Sequence, residues 1–346
     1  MEECAVIGAG AAGCFAAITC AETYPAAKIR IFEKSPQPLN KVRISGGGRC
    51  NVTHACFNPN ILCHYYPRGY KELLGPFHRF GPINTLEWFK RRGVELKTER
   101  DGRMFPVTDR SETIISCLLG QIQEKGIELH LGVNIDDFPK ADAVILATGS
   151  SRWGYQIAKK LGHTIVPPIP SLFSFNIPNF PLIHLAGVVA PHATVWLEGR
   201  KSQEQGPLLI THWGLSGPPI LKLSAREALF LSENHYRAMV MVEWGEGLPK
   251  RLKKENPHDR FEMQGKTSYK KEFVTCGGIE LKEVNFKTME SRIHPRLFFA
   301  GEILNIDGFT GGFNFQNAWT TGWIAGLSAL KDISTETTFS STHDES

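Results

Sequence analysis

The chain opens with a strand that runs straight into a glycine turn. Cys4-Ala5-Val6-Ile7 is followed by Gly8-Ala9-Gly10-Ala11-Ala12-Gly13, and an acid, Glu33, stands 20 positions after Gly13 at the end of a second apolar stretch, Ile29-Arg30-Ile31-Phe32. Each part has its own physical task. Gly8 permits a tight turn, Gly10 lets backbone approach a pyrophosphate, and Gly13 lets the helix pack on the strand. The helix N-terminus aims free N–H groups and a partial positive charge at phosphates, and the carboxylate accepts from a ribose hydroxyl. A lone G-x-G-x-x-G fits an ordinary glycine-rich turn equally well. Here strand, helix and acid stand at the required separations, so the segment predicts a Rossmann-like fold holding an adenine dinucleotide.

Length bounds the rest. A chain of 346 residues suggests about two domains, and 42% hydrophobic with 21% charged residues is ordinary for a globular protein. The net charge of +4 suits an anionic cofactor and does not by itself argue for nucleic acid. The basic cluster Lys250-Arg251-Leu252-Lys253-Lys254 reads as a solvated loop or helix end. No basic stretch is interleaved with aromatics, as nucleic-acid surfaces are. The eight cysteines include no C-x-x-C pair and read as reduced cytosolic thiols. Met1-Glu2-Glu3 is acidic where a secretion signal needs positive charge, and no run approaches membrane-spanning length. The expectation is a cytoplasmic enzyme with a small-molecule substrate, no nucleic-acid or membrane partner, and an oligomeric state left open.

Strand and helix signals alternate through the first third. Helices are expected at Ala11–Tyr24, Thr85–Arg92 and Ser111–Lys125, the last with Ser111 as N-cap, and strands at Ile29–Glu33, Ile127–Leu131 and Ala143–Ala147. The uninterrupted apolar run at Ala143 suits a strand buried on both faces. From Pro167 to about Cys276 prolines, turns and short β-branched runs take over, with strands expected at Ala193–Leu197 and Ala238–Glu243. The α/β texture returns with a strand at Arg296–Ala300 and a glycine-rich, then helical, segment from Gly312 to Leu330. The fold class is therefore α/β. A discontinuous Rossmann-like domain (1–165 and 276–333) carries an inserted, mainly antiparallel β domain (166–275), and a polar tail at 334–346 is expected to be disordered.

Three segments favour FAD over NAD. Lys41-Val42-Arg43-Ile44-Ser45-Gly46-Gly47-Gly48-Arg49-Cys50-Asn51 puts three bare glycines among cations. Such a loop offers backbone N–H groups to a pyrophosphate and ribityl chain, unless it is a surface loop with incidental charge. Ala147-Thr148-Gly149 follows an apolar strand, where flavoprotein chains cross their cofactor. Leu297-Phe298-Phe299-Ala300-Gly301-Glu302, with Asp307 and Gly311-Gly312-Phe313-Asn314, supplies a carboxylate for a ribityl hydroxyl and a helix N-terminus for the flavin N1/O2 edge.

These residues carry a family resemblance. With Gly102-Arg103-Met104-Phe105-Pro106, Thr211 to Pro218, Cys276-Gly277-Gly278-Ile279, Thr288-Met289-Glu290-Ser291 and Gly301 through Gly326, the chain resembles the BaiN/RdsA (YhiN-like) family of FAD-dependent oxidoreductases. The resemblance implies one non-covalent FAD in a glutathione-reductase-type domain, and reduction of unsaturated small molecules with NAD(P)H. Carried over by position, it implies FAD contacts at Gly8, Ala9, Gly10, Ala11, Ala12, Gly13, Glu33 and Lys34, then at Ser45, Gly46, Gly47, Arg49, Cys50 and Asn51. It also implies contacts at Val133 (by backbone, on the adenine side), Ala147, Thr148, Gly149, Gly301, Glu302, Asp307, Gly312, Phe313 and Asn314. The chain departs from the family in two places. Only Ser150 to Tyr155 stands where the family has a longer glycine- and serine-rich loop, and between Gly247 and Thr275, where the family has a helical stretch, there is little but Lys-rich polar sequence.

Other constellations compete. Cys50 and Cys56 resemble a redox dithiol, but five residues separate them where four are usual. Cys50, His54, Cys56, Cys63 and His64 lack the tight pairs that zinc prefers. His212 is a candidate proton donor or a turn-fixing histidine, and Tyr155 and Trp153 are candidates for stacking near the flavin or for plain packing. A second G-x-G-x-x-G is absent, so NAD(P)H would dock transiently. The leading reading is an FAD-dependent oxidoreductase exchanging hydride between flavin N5 and a hydrophobic small molecule. The runner-up is a shortened FAD-binding or sensor protein with little turnover, and a nucleic-acid-modifying flavoenzyme stands third.

Overall fold

The computed structural model describes residues 1–133, 139–252, 258–267 and 274–331. The expected tail at 334–346 lies outside them. The chain divides into two compact units, residues 1–167 with 277–346, and residues 168–276.

In the first unit the opening strand, Glu3–Ile7, is central. It pairs parallel with Lys28–Glu33 on one side and with Ala143–Leu146 on the other, so that Ile7 lies opposite both Phe32 and Leu146. Outward lie Glu128–Leu131 next to Lys28–Glu33, and Leu297–Phe299 next to Ala143–Leu146, both parallel. Glu290–Ser291 and Val284–Asn285 extend the latter edge antiparallel. Every residue of Ala143–Leu146 is buried, as its apolar run requires. The chain leaves the central strand first to one side and later to the other. In sheets with such a reversal the carboxyl ends of the strands at the switch point are the usual ligand position.

Helix Ala11–Thr23 is buried almost all round and lies against helix Phe313–Ser328. Small residues permit the approach: a Cβ on Gly322 would stand 2.6 Å from the Ala12 carbonyl oxygen, and one on Gly326 2.4 Å from that of Ala16. The first and last helices among the unit's described residues are thereby locked together.

Three local expectations are corrected. The helix expected at Thr85–Arg92 runs from Pro82 to Lys90, because Gly81 and Pro82 start it and the Asn84 side chain accepts from the Gly81 N–H at 2.9 Å. Ser111 is the first residue of helix Ser111–Glu124, not its cap; its hydroxyl donates to the Arg43 carbonyl at 2.9 Å, and Arg110 stands at the N-cap. The first part of the stretch expected as a loop, Lys41 to Ile44, is helical, whereas Ser45, Gly46 and Gly47 leave the helix, as a glycine loop requires.

Among the described residues the second unit holds a seven-stranded antiparallel sheet, with helices Pro218–Arg226 and Ala228–Glu233. In order across the sheet run His258–Gln264, Arg237–Glu243, Val189–Leu197, Gln203–Thr211, Gly214–Ser216, Ser174–Asn176 and Lys266–Thr267. Its core holds Phe175, Val195, Leu197, Ile210, Val240 and Met263. Strand His258–Gln264 falls where the sequence showed little but polar residues. It alternates exposed His258, Arg260, Glu262 and Gln264-type positions with buried Phe261 and Met263, a half-buried edge strand with only two apolar side chains to betray it.

Candidate functional site

The opening turn is shaped by close approach. Gly8 has φ +104°, and a Cβ there would stand 2.5 Å from the Ala147 carbonyl oxygen; a Cβ on Gly13 would stand 1.9 Å from that of Gly8. Gly10, in contrast, faces open space, with nothing within 4 Å of its Cβ position. Gly10 also caps helix Ala11–Thr23, whose first turn has neither a capping side chain nor an acid. The N–H groups of Ala11, Ala12 and Gly13 are thus left for an anion. Glu33 closes the turn: Oε2 accepts from the Ala9 N–H and Oε1 from the Ser35 N–H, both at 2.8 Å. Each oxygen keeps acceptor capacity for a hydroxyl. Lys34 is exposed, and the Val133 N–H donates to the Glu33 carbonyl at 3.0 Å.

The second segment, Ser45 to Asn51, bends through Gly46 and Gly47 in the left-handed region, with Gly47 and Gly48 facing open space. Gly46 rests on the Phe105 ring, which also carries the Arg49 guanidinium 3.9 Å above its centre. Arg49 pairs with Glu99 at 2.6 Å, so this predicted cofactor cation is already neutralised by a carboxylate. Cys50 is fully buried and burial pushes its thiol up to about 12. It is a packed thiol, not the thiolate a redox dithiol needs.

The third segment meets the first two. A Cβ on Gly301 would stand 2.8 Å from that of Ala12, and its N–H donates to Thr321 Oγ1 at 2.9 Å. Asn51, with its amide oriented to satisfy its neighbours, accepts from the Gly312 N–H at 3.0 Å and donates to the Thr53 carbonyl at 3.1 Å. Helix Phe313–Ser328 starts behind Gly312 with no side-chain cap and no acid in its first turn. Asn314 accepts from the Gly308 N–H at 2.8 Å and donates to the Gly308 carbonyl at 2.9 Å, which pins the loop. The Phe313 ring stacks on Tyr65 at 4.2 Å and on His54 at 4.7 Å between centroids.

The two predicted carboxylates are internally paired. Glu302 forms an ion pair with Lys41, whose ammonium also lies 3.3 Å from Ser150 Oγ. Asp307 is buried and gives both oxygens to Arg68. Lys41, Ser150 and Arg68 were not singled out from the sequence. Lys41 had a signal, since it opens the cationic glycine stretch; Arg68 had none.

Ala147 is buried, and Gly149 has φ +59°. Helix Arg152–Lys160 begins at once behind the Ser151 N-cap, and Gly154 sits so close over Thr148 that a Cβ would stand 1.9 Å from Thr148 Oγ1. Thr148 Oγ1 and Asn317 Oδ1 are buried with no hydrogen-bond partner among the described residues. Tyr155 is buried on that helix, and Trp153, two positions before it, is half-buried. His212 is exposed in the two-residue turn between Gln203–Thr211 and Gly214–Ser216 of the second unit.

The sequence profile of the HI0933-like protein Rossmann domain matches residues 2–146 and 140–328. The chain belongs to the HI0933-like family. This is the BaiN/RdsA family of the motif resemblance, a flavoprotein oxidoreductase family with a Rossmann-type FAD-binding domain. Within reach of the HI0933-like chain is a 3-dehydro-bile acid delta(4,6)-reductase of Clostridium scindens, 26% identical over 412 aligned positions that cover 96% of this chain and 100% of the relative. A ribosomal RNA dihydrouridine synthase of Escherichia coli is 26% identical over 390 positions, 92% of this chain and 95% of the relative. An alignment of 412 positions exceeds the 346 residues of this chain, so relative to the reductase the chain carries deletions. The fold of the HI0933-like chain is shared with 3-ketosteroid delta1-dehydrogenase from Sterolibacterium denitrificans, at a TM-score of 0.52 and 9% identity over 94% of this chain and 99% of that one.

Proposed function

We propose that the protein is a cytoplasmic FAD-dependent oxidoreductase that reduces an unsaturated small molecule, with NAD(P)H as transient donor. One observation carries this reading. The opening turn and the Gly301–Gly312 segment, nearly 300 residues apart in sequence, are packed against each other, and each ends at a glycine-capped helix N-terminus free of capping side chains. Gly8 to Gly13 and Glu33 would hold the AMP half of FAD. Ser45 to Asn51, Thr148, Gly149 and the Gly301–Asn314 segment would hold the flavin half, with unpartnered Thr148 Oγ1 and Asn317 Oδ1 supplying hydrogen-bonding capacity nearby. Bound FAD would supply hydride exchange at N5; the chain supplies position and electrostatics. Lys41 would steady the Glu302 carboxylate, and His212 and Tyr155 are the candidate proton donors.

Both relatives' names denote addition of hydrogen to a double bond, in a bile acid and in a uridine of RNA. The small molecule is favoured here because the sequence offers no basic, aromatic-interleaved stretch. The test is spectroscopic. The purified protein should show flavin absorbance, and the band should bleach on anaerobic mixing with NADH or NADPH. A colourless protein that cannot be reconstituted with FAD would end this reading.

The internal pairing of Glu302 with Lys41 and of Asp307 with Arg68, together with the immediate start of helix Arg152–Lys160 after Gly149, favours a second reading. In it the chain holds FAD with little turnover. A flavin that photoreduces normally but bleaches with neither nicotinamide would support it.

A further inference from the structure

A cleft of about 740 Å³ opens on the first unit, between helix Tyr70–Arg79 and the segment from Glu280 to Arg292. Six cationic and two acidic side chains line it. Arg68 is committed to Asp307. Arg79 donates to the Lys287 carbonyl, and Arg292 Nε to the Val284 carbonyl at 3.3 Å, so both guanidinium stems are held at the wall. Lys71, Lys282 and Lys287 are exposed, and among the described residues none of their ammonium groups has a carboxylate partner. The acids, Glu72 and Glu280, leave a clear cationic excess. Tyr70, whose ring has the Lys71 ammonium 5.7 Å from its centre, and Phe286 add aromatic side chains to the same cleft.

Unpaired lysines beside fixed guanidinium groups are the chemistry of a phosphate site, and aromatic side chains beside them suit a base. The volume is that of a small-molecule site. The cleft also adjoins the proposed flavin half. Asn305 lines it, a Cβ on Gly69 would stand 2.6 Å from Ile306 Cγ1, and Arg68 reaches from its wall to Asp307. We propose that this cleft binds an adenine nucleotide bearing two or more phosphates, the nucleotide end of the NAD(P)H donor for which the chain has no second glycine motif. The assignment to the donor rests on the oxidoreductase reading above.

The experiment is a calorimetric titration of the protein as purified, with FAD bound, using adenosine 2′,5′-bisphosphate as probe. Wild type should bind one equivalent saturably. Lys71→Glu and Lys282→Glu should each weaken binding about tenfold, with the flavin spectrum and thermal midpoint unchanged. No saturable binding, or binding equally tight in both variants, overturns the proposal. Binding of a short single-stranded RNA with that charge dependence, but not of the bisphosphate, overturns it in favour of an RNA surface. A colourless protein that binds the bisphosphate with the stated charge dependence retires the flavin reading alone and upholds the cleft as a nucleotide site.

Discussion

Arg68 holds both carboxylate oxygens of Asp307, a residue with no solvent exposure that lies 239 positions further along the chain. The pair ties the segment before helix Tyr70–Arg79 to the loop that leads into helix Phe313–Ser328. Truncating Arg68 leaves a buried carboxylate without its counter-charge. Arg68→Ala should lower the unfolding free energy by about 3 kcal/mol, measured by urea denaturation. A loss under about 1 kcal/mol would mean that water replaces the guanidinium at no great cost.

Gly10 and Gly13 separate binding from folding. An alanine at Gly13 drives its Cβ into the Gly8 carbonyl, so Gly13→Ala should destabilise by at least about 2 kcal/mol. An alanine at Gly10 meets no protein atom within 4 Å. Gly10→Ala should therefore stay within about 0.5 kcal/mol of wild type while FAD affinity falls about tenfold or more. Equal FAD affinity in wild type and Gly10→Ala would place the pyrophosphate elsewhere.

Glu33 binds the Ala9 and Ser35 N–H groups and is the proposed acceptor of a ribose hydroxyl. Glu33→Ala should weaken FAD retention about tenfold or more, read by fluorescence titration of the apoprotein. If affinity is unchanged, the ribose assignment is wrong.

Acid should loosen the edge of the first unit's sheet. His163 is buried with Nδ1 3.2 Å from Glu283 Oε2 and Nε2 2.9 Å from Ser291 Oγ. Ser291 Oγ already accepts from the Ile293 and His294 N–H groups at 3.0 and 2.7 Å, which marks a structural lock and not a nucleophile. Burial pushes His163 below its usual value, outweighing the Glu283 carboxylate that pulls it up. Burial pushes Glu283 up, but hydrogen bonds with Thr164 and His163 outweigh it and hold the carboxyl below its usual range. Both groups stabilise the fold at neutral pH. The His163 contribution fades as pH drops below about 6.5, where the unfolded chain takes up a proton first, and that of Glu283 fades further down, below the ordinary carboxylate range. His163→Gln should flatten the loss of stability between about pH 7 and pH 5, followed by urea unfolding at each pH. An unaltered slope would assign the titration to another group.

Cys50 should be chemically quiet. Its thiol is pushed up to about 12 by burial, whereas Cys56 is partly exposed and less strongly shifted. Iodoacetamide at pH 8 should label Cys56 well before Cys50, located by peptide mass spectrometry. Cys50→Ala should still show flavin reduction, since a dithiol relay is not part of the proposed chemistry; loss of reduction with FAD retained would reinstate the dithiol.

The sequence alone determined what short-range chemistry controls. Strand, glycine turn, helix and acid at Cys4 to Glu33 could be read because turn sterics and helix pitch act over a few residues, and the continuous apolar run at Ala143 marked a strand buried on both faces. The same locality explains the errors. Ser111 looks like a cap until Arg43 offers its carbonyl, and strand His258–Gln264 has too few apolar positions to stand out. Only the tertiary structure decided where charges go. Lys41 meets Glu302, Arg68 meets Asp307, and His163 joins Glu283 to Ser291 across separations of more than a hundred residues. Such contacts leave no periodicity, because each depends on which strands the sheet sets side by side. The opening turn could be read locally as a candidate dinucleotide end; that Gly301 packs on Ala12, and so brings the distant segment beside that turn, was decided by the tertiary structure alone.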